Sequence, residues 1–270
     1  AETQAVIRSA GREAVYVFDC LSELAEDWCS DRMLGNFFML TCPYVYERGA
    51  AAYFALIRNR HSFHAIDPVR QTTQVMIDVY DLDGRFYIHP LKVQYRQSDR
   101  MHMFYRLDGD AFVPVNQSAE VADVTQSDSR SPLDGAGWRL GFWSNTFSKA
   151  EEIAAGIASG QAPPDGMDAF VSRLRRLMIA RQGRLLALAE RHLDLEDMLA
   201  VRRRMIGTGG IGGKAAGLVL AQAVLRKSSP RWASLLEPPD SFFIGADVFY
   251  TYLVQNGLWS IRQRQKDPDA

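Results

Sequence analysis

Five of the seven residues at positions 207–213 are glycine, in the run Ile206-Gly207-Thr208-Gly209-Gly210-Ile211-Gly212-Gly213-Lys214-Ala215-Ala216-Gly217-Leu218. No other stretch restricts the fold as strongly. Glycine reaches backbone conformations closed to other residues, so the run predicts a tight turn with consecutive N–H groups exposed. Residues 215–225 read as a helix, and its first turn points the positive end of its dipole at the same place. Lys214 adds a mobile cation. Gly210, Gly212, Gly213 and Lys214 together make a cradle suited to phosphate. The alternative is a loop that only joins helix to helix, with Lys214 a solvated residue of the first turn.

Two well-known phosphate motifs do not fit. A P-loop needs a glycine five residues before the Gly213-Lys214 pair and a hydroxyl after it; Thr208 and Ala215 stand there. A dinucleotide fingerprint needs a strand before its glycines, whereas Arg202-Arg203-Arg204-Met205 reads as helix.

The rest of the chain divides around this turn. Residues 1–116 alternate strand and helix signals, the mark of an α/β unit. Residues 15–18 form a short apolar run ending in Asp19, and 21–25 can start a helix. Residues 35–42 read as a second buried strand and the alanine-rich stretch 49–60 as a helix. Residues 73–80 and 85–95 alternate around Asp81-Leu82-Asp83-Gly84, a hairpin signal, and 101–107 and 111–115 extend the meander. Residues 108–135 carry six acids against Arg130 and read as a linker or surface loop, not a third core. Trp138, Phe142, Trp143 and Phe147 then form an aromatic cluster that docks the linker on a folded unit. Helical spacing dominates 167–206, where Phe170, Leu174, Leu177, Arg181, Leu185, Leu188, His192, Leu195 and Leu199 draw one stripe, broken near Gly183. The expected boundaries are 1–116, 117–149, 150–204 and 205–270.

Gly212-Gly213-Lys214-Ala215-Ala216-Gly217-Leu218 is followed by Pro238-Pro239-Asp240-Ser241-Phe242-Phe243-Ile244 and a helix with Asn256-Gly257-Leu258. This succession resembles the N-terminal nucleotide-binding domain of the phosphoenolpyruvate synthase and pyruvate phosphate dikinase family. The resemblance covers about residues 205–260. It implies an ATP-grasp-like domain that starts at this turn, with Lys214 in the place of a lysine that contacts ATP phosphates. It further implies Mg²⁺, a histidine phosphorylated by ATP, and pyruvate as the next acceptor. The remaining acidic metal ligands, the phosphohistidine domain and the pyruvate-binding barrel would lie past residue 270. Two hundred residues precede the turn, where the family has it near its start. Alone, this chain would carry one edge of an ATP site rather than a complete enzyme.

Val15-Tyr16-Val17-Phe18-Asp19-Cys20-Leu21-Ser22 resembles the metal-binding strand of RecA-type ATPases, in which an acid at the strand's end holds Mg²⁺ through water. Residues 73–80 and 90–96 resemble the late strands of that fold, with Lys92 and Arg96 able to face a neighbour's nucleotide. The implied architecture is a RecA-like mixed-sheet module lacking a P-loop, then a helical connector, then the start of an ATP-grasp-like domain. Asp19 would be the metal residue; its alternative is an ordinary strand-end or capping acid.

Other candidates carry less. His61, His64 and Asp67 could ligate a metal, although Arg58, Arg60 and Arg70 around them oppose a cation. His89, His102 and His192 read as structural. Arg173, Arg175, Arg176 and Arg202, Arg203, Arg204 read as solvated helix faces. No serine sits in a nucleophile-elbow context. The formal net charge of −1 gives no support to a nucleic-acid binder, and no apolar run reaches the roughly 18 residues of a membrane helix. Cys20, Cys29 and Cys42, odd in number and without a CxxC pair, read as buried thiols of a cytoplasmic protein. The absence of an initiator methionine suggests a piece of a longer protein. Two further readings stay open: a non-catalytic regulatory or scaffold protein, and a RecA-type ATPase truncated at its front.

Overall fold

Strand β1 (Val15–Phe18) follows helix α1 (Glu2–Ala10) and pairs in parallel with β2 (Ala51–Phe54), Val15 opposite Ala51 and Phe18 opposite Phe54. The computed structural model describes residues 2–10, 14–28, 30–58, 60–96, 98, 100–127, 141–237 and 240–265, a mixed α/β arrangement. A parallel pair needs a crossover, here α2 (Leu21–Trp28) and α3 (Asp31–Glu47). Two sequence expectations are reversed at this point: 35–42 is helix rather than strand, and 51–54 is strand rather than helix. Leu34, Phe38, Cys42 and Val45 recur at spacings of four and three and are buried on one helix face. Ser30 caps the helix by accepting from the Met33 N–H at 3.2 Å. In β2 the helix preference of alanine is weak, and pairing with β1 outweighs it. Phe54 stacks on Phe18 with ring centroids 4.5 Å apart.

Helix α4 (Phe63–Thr72) packs across α3 at Gly35. A Cβ there would stand 2.6 Å from the His64 carbonyl and 3.0 Å from Pro68 Cγ. Beyond α4 the chain forms an antiparallel meander: β3 (Val75–Leu82), β4 (Arg85–Val93), β5 (Tyr105–Asp108) and β6 (Ala111–Pro114). The expected hairpin turns at Asp83 and Gly84, both at positive φ. Among the described residues this meander is a sheet separate from β1–β2. The linker expectation needs correcting. Helix α5 (Ser118–Ser127) lies inside it, and its Val124 is fully buried against Tyr80, Tyr87, Phe104 and Val115. Glu120 accepts from the Tyr87 hydroxyl at 3.0 Å and from Arg106 at 2.9 Å. A third core therefore exists where charge alone predicted none. Residues 128–135 and Trp138 lie outside the described residues.

Helices α6 (Gly141–Ala158), α7 (Met167–Met178), α8 (Arg184–His192) and α9 (Leu195–Arg203) lead to β7 (Met205–Ile206) and α10 (Gly213–Ser228). Short α11 (Pro230–Leu235), β8 (Phe243–Ile244), α12 (Ala246–Gln255) and α13 (Trp259–Arg264) complete the order. Trp143 and Phe147 of α6 dock as expected, on a core that includes Leu174, Met178, Leu199 and Leu220. The continuous stripe does not survive intact. Gly183, at φ 83°, interrupts the helix and α8 restarts in another phase. Arg181 and Leu188 are exposed, while Leu186 and Ala189 are buried. Several arginines of the two clusters are engaged rather than simply solvated: Arg175 donates to the Leu193 carbonyl, and Arg202 lies over Phe147.

The close approach of α3 and α4 makes a direct test. Gly35→Ala should lower stability by about 1–3 kcal/mol, because the obstructing atom is backbone and cannot rotate away. Urea unfolding of the two proteins reads this difference.

Candidate functional site

The glycine turn has a closed inner half. β7 pairs in parallel with β8, Met205 opposite Phe243 and Ile206 opposite Ile244. The Gly245 N–H donates to the Ile206 carbonyl at 2.8 Å, Ala246 to Gly210 at 2.9 Å, and Ile211 to Met178 at 2.8 Å. Asp247, 1% exposed, accepts from the Thr208 N–H at 2.7 Å and from the Thr208 hydroxyl at 2.8 Å. With its own hydrogen committed to Asp247, Thr208 Oγ1 accepts from the Ser30 hydroxyl at 2.7 Å. Arg32 brings its charge to 3.9 Å from Asp247. Gly207, at φ 84°, has no room for a Cβ, which would meet Asp247 and Val248. At Gly245 a Cβ would lie 2.6 Å from the Thr208 nitrogen.

The outer half is open. Gly212, Gly213 and Gly217 face free space, and Lys214 is exposed. Ala216 is the first residue of α10 to donate within the helix, to Gly212 at 2.9 Å. The N–H groups of Gly213, Lys214 and Ala215 therefore precede the helical ladder. The first turn of α10 holds no acid. Among the described residues Lys214 has no ion pair or side-chain hydrogen bond. The far end of α10 is anchored to α9: Lys227 contacts Asp194 at 2.7 Å and Arg226 contacts Asp197 at 2.6 Å. Burial raises the Asp194 carboxyl, but Lys227 and the backbone of Asp197 outweigh it and hold the group below its usual range.

The predicted residues thus fall into two groups. Gly212, Gly213 and Lys214 share the open rim. Gly210 is half-buried, with the carbonyls of Leu177 and Met178 at 3.6 and 3.7 Å from where a Cβ would sit, and it shapes the turn from behind. Asp19 is exposed at the end of β1, in the other unit. No group of three potential metal ligands occurs among the described residues. Lys92 donates to the carbonyls of Arg70 and Gln71 at 2.7 and 3.2 Å, closing the end of α4; Arg96 is exposed. His89 stacks on Phe104, and burial lowers its pKa. Burial likewise pushes the Cys42 thiol up.

Sequence reading missed one constellation. Ser22, His61 and Asp31 lie in a row: Ser22 Oγ is 2.7 Å from His61 Nε2, and His61 Nδ1 is 2.9 Å from Asp31 Oδ1. A carboxylate only accepts, so Nδ1 carries the hydrogen. The row has the order of a hydrolytic triad, but Ser22 is 0% exposed and its oxygen also accepts from the Ile57 N–H at 2.9 Å. It ties the strand ends and α3 together and presents no nucleophile to solvent. The suggested metal trio is dispersed: His61 faces Asp31, His64 lies 3.3 Å from Arg32, and Asp67 accepts from Gln71 at 2.6 Å. No regular spacing links Ser22, Asp31 and His61, so no motif could have shown them.

Burial raises the Asp31 carboxyl, while the hydrogen bonds from His61 and from the Ser62 N–H lower it further than burial raises it. Its folded pKa is below the unfolded value, so the stabilisation is present above about pH 4 and lost as pH falls through the folded pKa. Asp31→Asn should flatten that acid-side dependence in unfolding curves measured between about pH 2 and 5. Asp247→Asn should destabilise the fold by about 1–3 kcal/mol, since one acceptor of a buried pair becomes a donor facing Thr208. Its melting temperature, compared with that of Thr208→Ser, checks this. No protein-family model matches the chain, and no curated protein or solved structure does either.

Proposed function

We propose that the glycine turn and Lys214 bind the phosphate groups of ATP within a phosphotransferase of the phosphoenolpyruvate synthase and pyruvate phosphate dikinase type. One observation carries this reading: Gly212, Gly213 and Lys214 stand open on a turn whose other half is bonded to Asp247 and Ser30. A rigid turn with free N–H groups and an unpaired cation suits an anion whose charge shifts during transfer, because its dipoles need not reorganise. On this reading β7, α10, β8 and α12 begin an ATP-grasp-like domain, and β1, α2, α3 and β2 belong to a RecA-like module. Mg²⁺ would accompany ATP and neutralise phosphate charge. Asp19 is the carboxylate that the RecA resemblance assigns to it. The phosphorylated histidine and pyruvate follow from the family resemblance alone. Free thiols at Cys20 and Cys42 suit a cytoplasmic setting, and no described helix is long and apolar enough to cross a membrane.

A scaffold reading is favoured by a different observation. α3 bonds to the C-terminal unit through Ser30 and through Asn36, whose amide donates to Thr251 at 2.9 Å. Such ties suit a protein that holds two modules in one orientation.

Calorimetric titration of Mg·ATP into the chain and into Lys214→Ala separates the two. The nucleotide reading expects binding that weakens at least tenfold in the variant, with unchanged circular dichroism. Equal affinity in both proteins removes Lys214 from the site. No binding to either favours the scaffold.

A further inference from the structure

The outer face of the β3–β6 meander is apolar, although its inner face already holds a core. Tyr80, Tyr87, Phe104 and Val115 line the inner face together with Val124 of α5. Residues opposite one another in a ladder share a face. Val79 stands opposite Ile88, Ile88 opposite Tyr105, Tyr105 opposite Pro114, and Leu107 opposite Phe112. These residues belong to the outer face, where Val75, Ile77, Val79, Phe86, Leu107 and Phe112 are 38–58% exposed. An antiparallel sheet with one solvated face ordinarily alternates apolar and polar residues; this one is apolar on both sides. At ordinary strand spacing and rise the four strands cover about 400 Å². A contiguous apolar patch of that order has the size that marks interaction sites.

Charge at the two ends of the sheet restricts what can cover it. Every neighbouring pair in the meander is antiparallel, so the turns at 83–84 and 109–110 lie at one end and the 94–104 connection at the other. The first end carries exposed Asp81, Asp83, Asp108 and Asp110 against Arg85. Among the described residues the second end carries Lys92, Arg96 and Arg100 and no acid. Lys92 donates to carbonyl oxygens, and Arg96 and Arg100 are exposed. Among the described residues none of these charges stands in an ion pair. The middle of the face carries no charge and is its own complement. Stacked sheets lie about 10 Å apart with their strands nearly aligned. A two-fold axis between two such faces, running across the strands, lays the acidic end of each copy over the basic end of the other. That operation keeps the lateral order of the strands. Asp81 and Asp83 then come over Lys92 and Arg96, and Asp108 and Asp110 over Arg100. A single helix about 10 Å wide would cover about two of the four strands and leave both charged ends unmatched.

We propose that this face joins two copies of the chain, sheet on sheet, with the strands antiparallel across the contact. The footprint is about half of what one partner contributes to a standard interface. The dimer is therefore reversible and depends on the charges at both ends as well as on the apolar middle. This inference does not depend on nucleotide binding at the glycine turn.

Sedimentation velocity of the full chain over a concentration series tests this, and a monomer–dimer equilibrium is expected. Val79→Lys and Phe112→Lys, on different strands of the face, should each raise the dissociation constant at least tenfold with unchanged circular dichroism. Reversing the basic end with Arg96→Asp and Arg100→Asp should raise it at least tenfold as well, because two acidic ends then meet. Adding Asp108→Lys and Asp110→Lys to that protein should recover most of the loss, since each contact again joins opposite charges. Rising salt should weaken the original dimer, because exposed charges are screened. Three results overturn the inference. They are a chain that stays monomeric throughout the series, a dimer indifferent to both lysine substitutions, and a fourfold charge variant no tighter than the twofold one.

Discussion

The pairing of Asp247 with Thr208 is the constraint on which the glycine turn depends. A carboxylate at 1% exposure is unfavourable unless its oxygens are bonded. Here one oxygen takes the Thr208 N–H and the other its hydroxyl, and Arg32 stands nearby. The geometry is possible only because Gly207 and Gly245 lack side chains, for either Cβ would occupy space needed by this pair or by its backbone. The glycines of the run therefore do two different jobs. Those at the inner end permit close packing, and those at the outer end leave N–H groups uncovered.

Rigidity behind and openness in front is the combination that gives fixed dipoles value at an anion. The α10 axis is fixed at its other end by Lys227 and Arg226 against the capping box of Asp194 and Asp197. The N-terminal turn of α10 is thus held from two directions while its own residues stay free.

Legibility from sequence followed the range of the interactions. The hairpin at Asp83-Gly84, the helix after Gly213 and the break at Gly183 were readable, because each is set by local backbone preference. The exchange of strand and helix between 35–42 and 51–54 was not. The helix depends on a cap by Ser30 and a buried face, and the strand on a partner more than thirty residues away. The α5 core escaped notice because acids dominate the composition of the stretch. Yet of the acids in α5 only Asp123 is exposed, while Glu120 bonds to Tyr87 and Arg106 and Val124 enters the core with Val121 packed against it. In the candidate site the rim residues Gly212, Gly213 and Lys214 could be named in advance. Asp247, Ser30 and Arg32 could not, since nothing in their spacing links them to the turn. Gly210 was grouped with the rim on composition alone, and only its packing against α7 separates it.

Ser30 and Asp31 are consecutive, yet their side chains serve different halves of the molecule. Ser30 bonds to Thr208 in the C-terminal unit, whereas Asp31 holds His61 and the Ser62 N–H in the N-terminal one. Gly141, the first residue of α6, also approaches Asp31 so closely that a Cβ would stand 2.6 Å from its carboxylate. A single helical turn is therefore common property of elements spread from residue 30 to residue 208. Heat or denaturant that frays this turn removes support from both halves together. The two halves should accordingly melt in one cooperative transition, despite having separate cores.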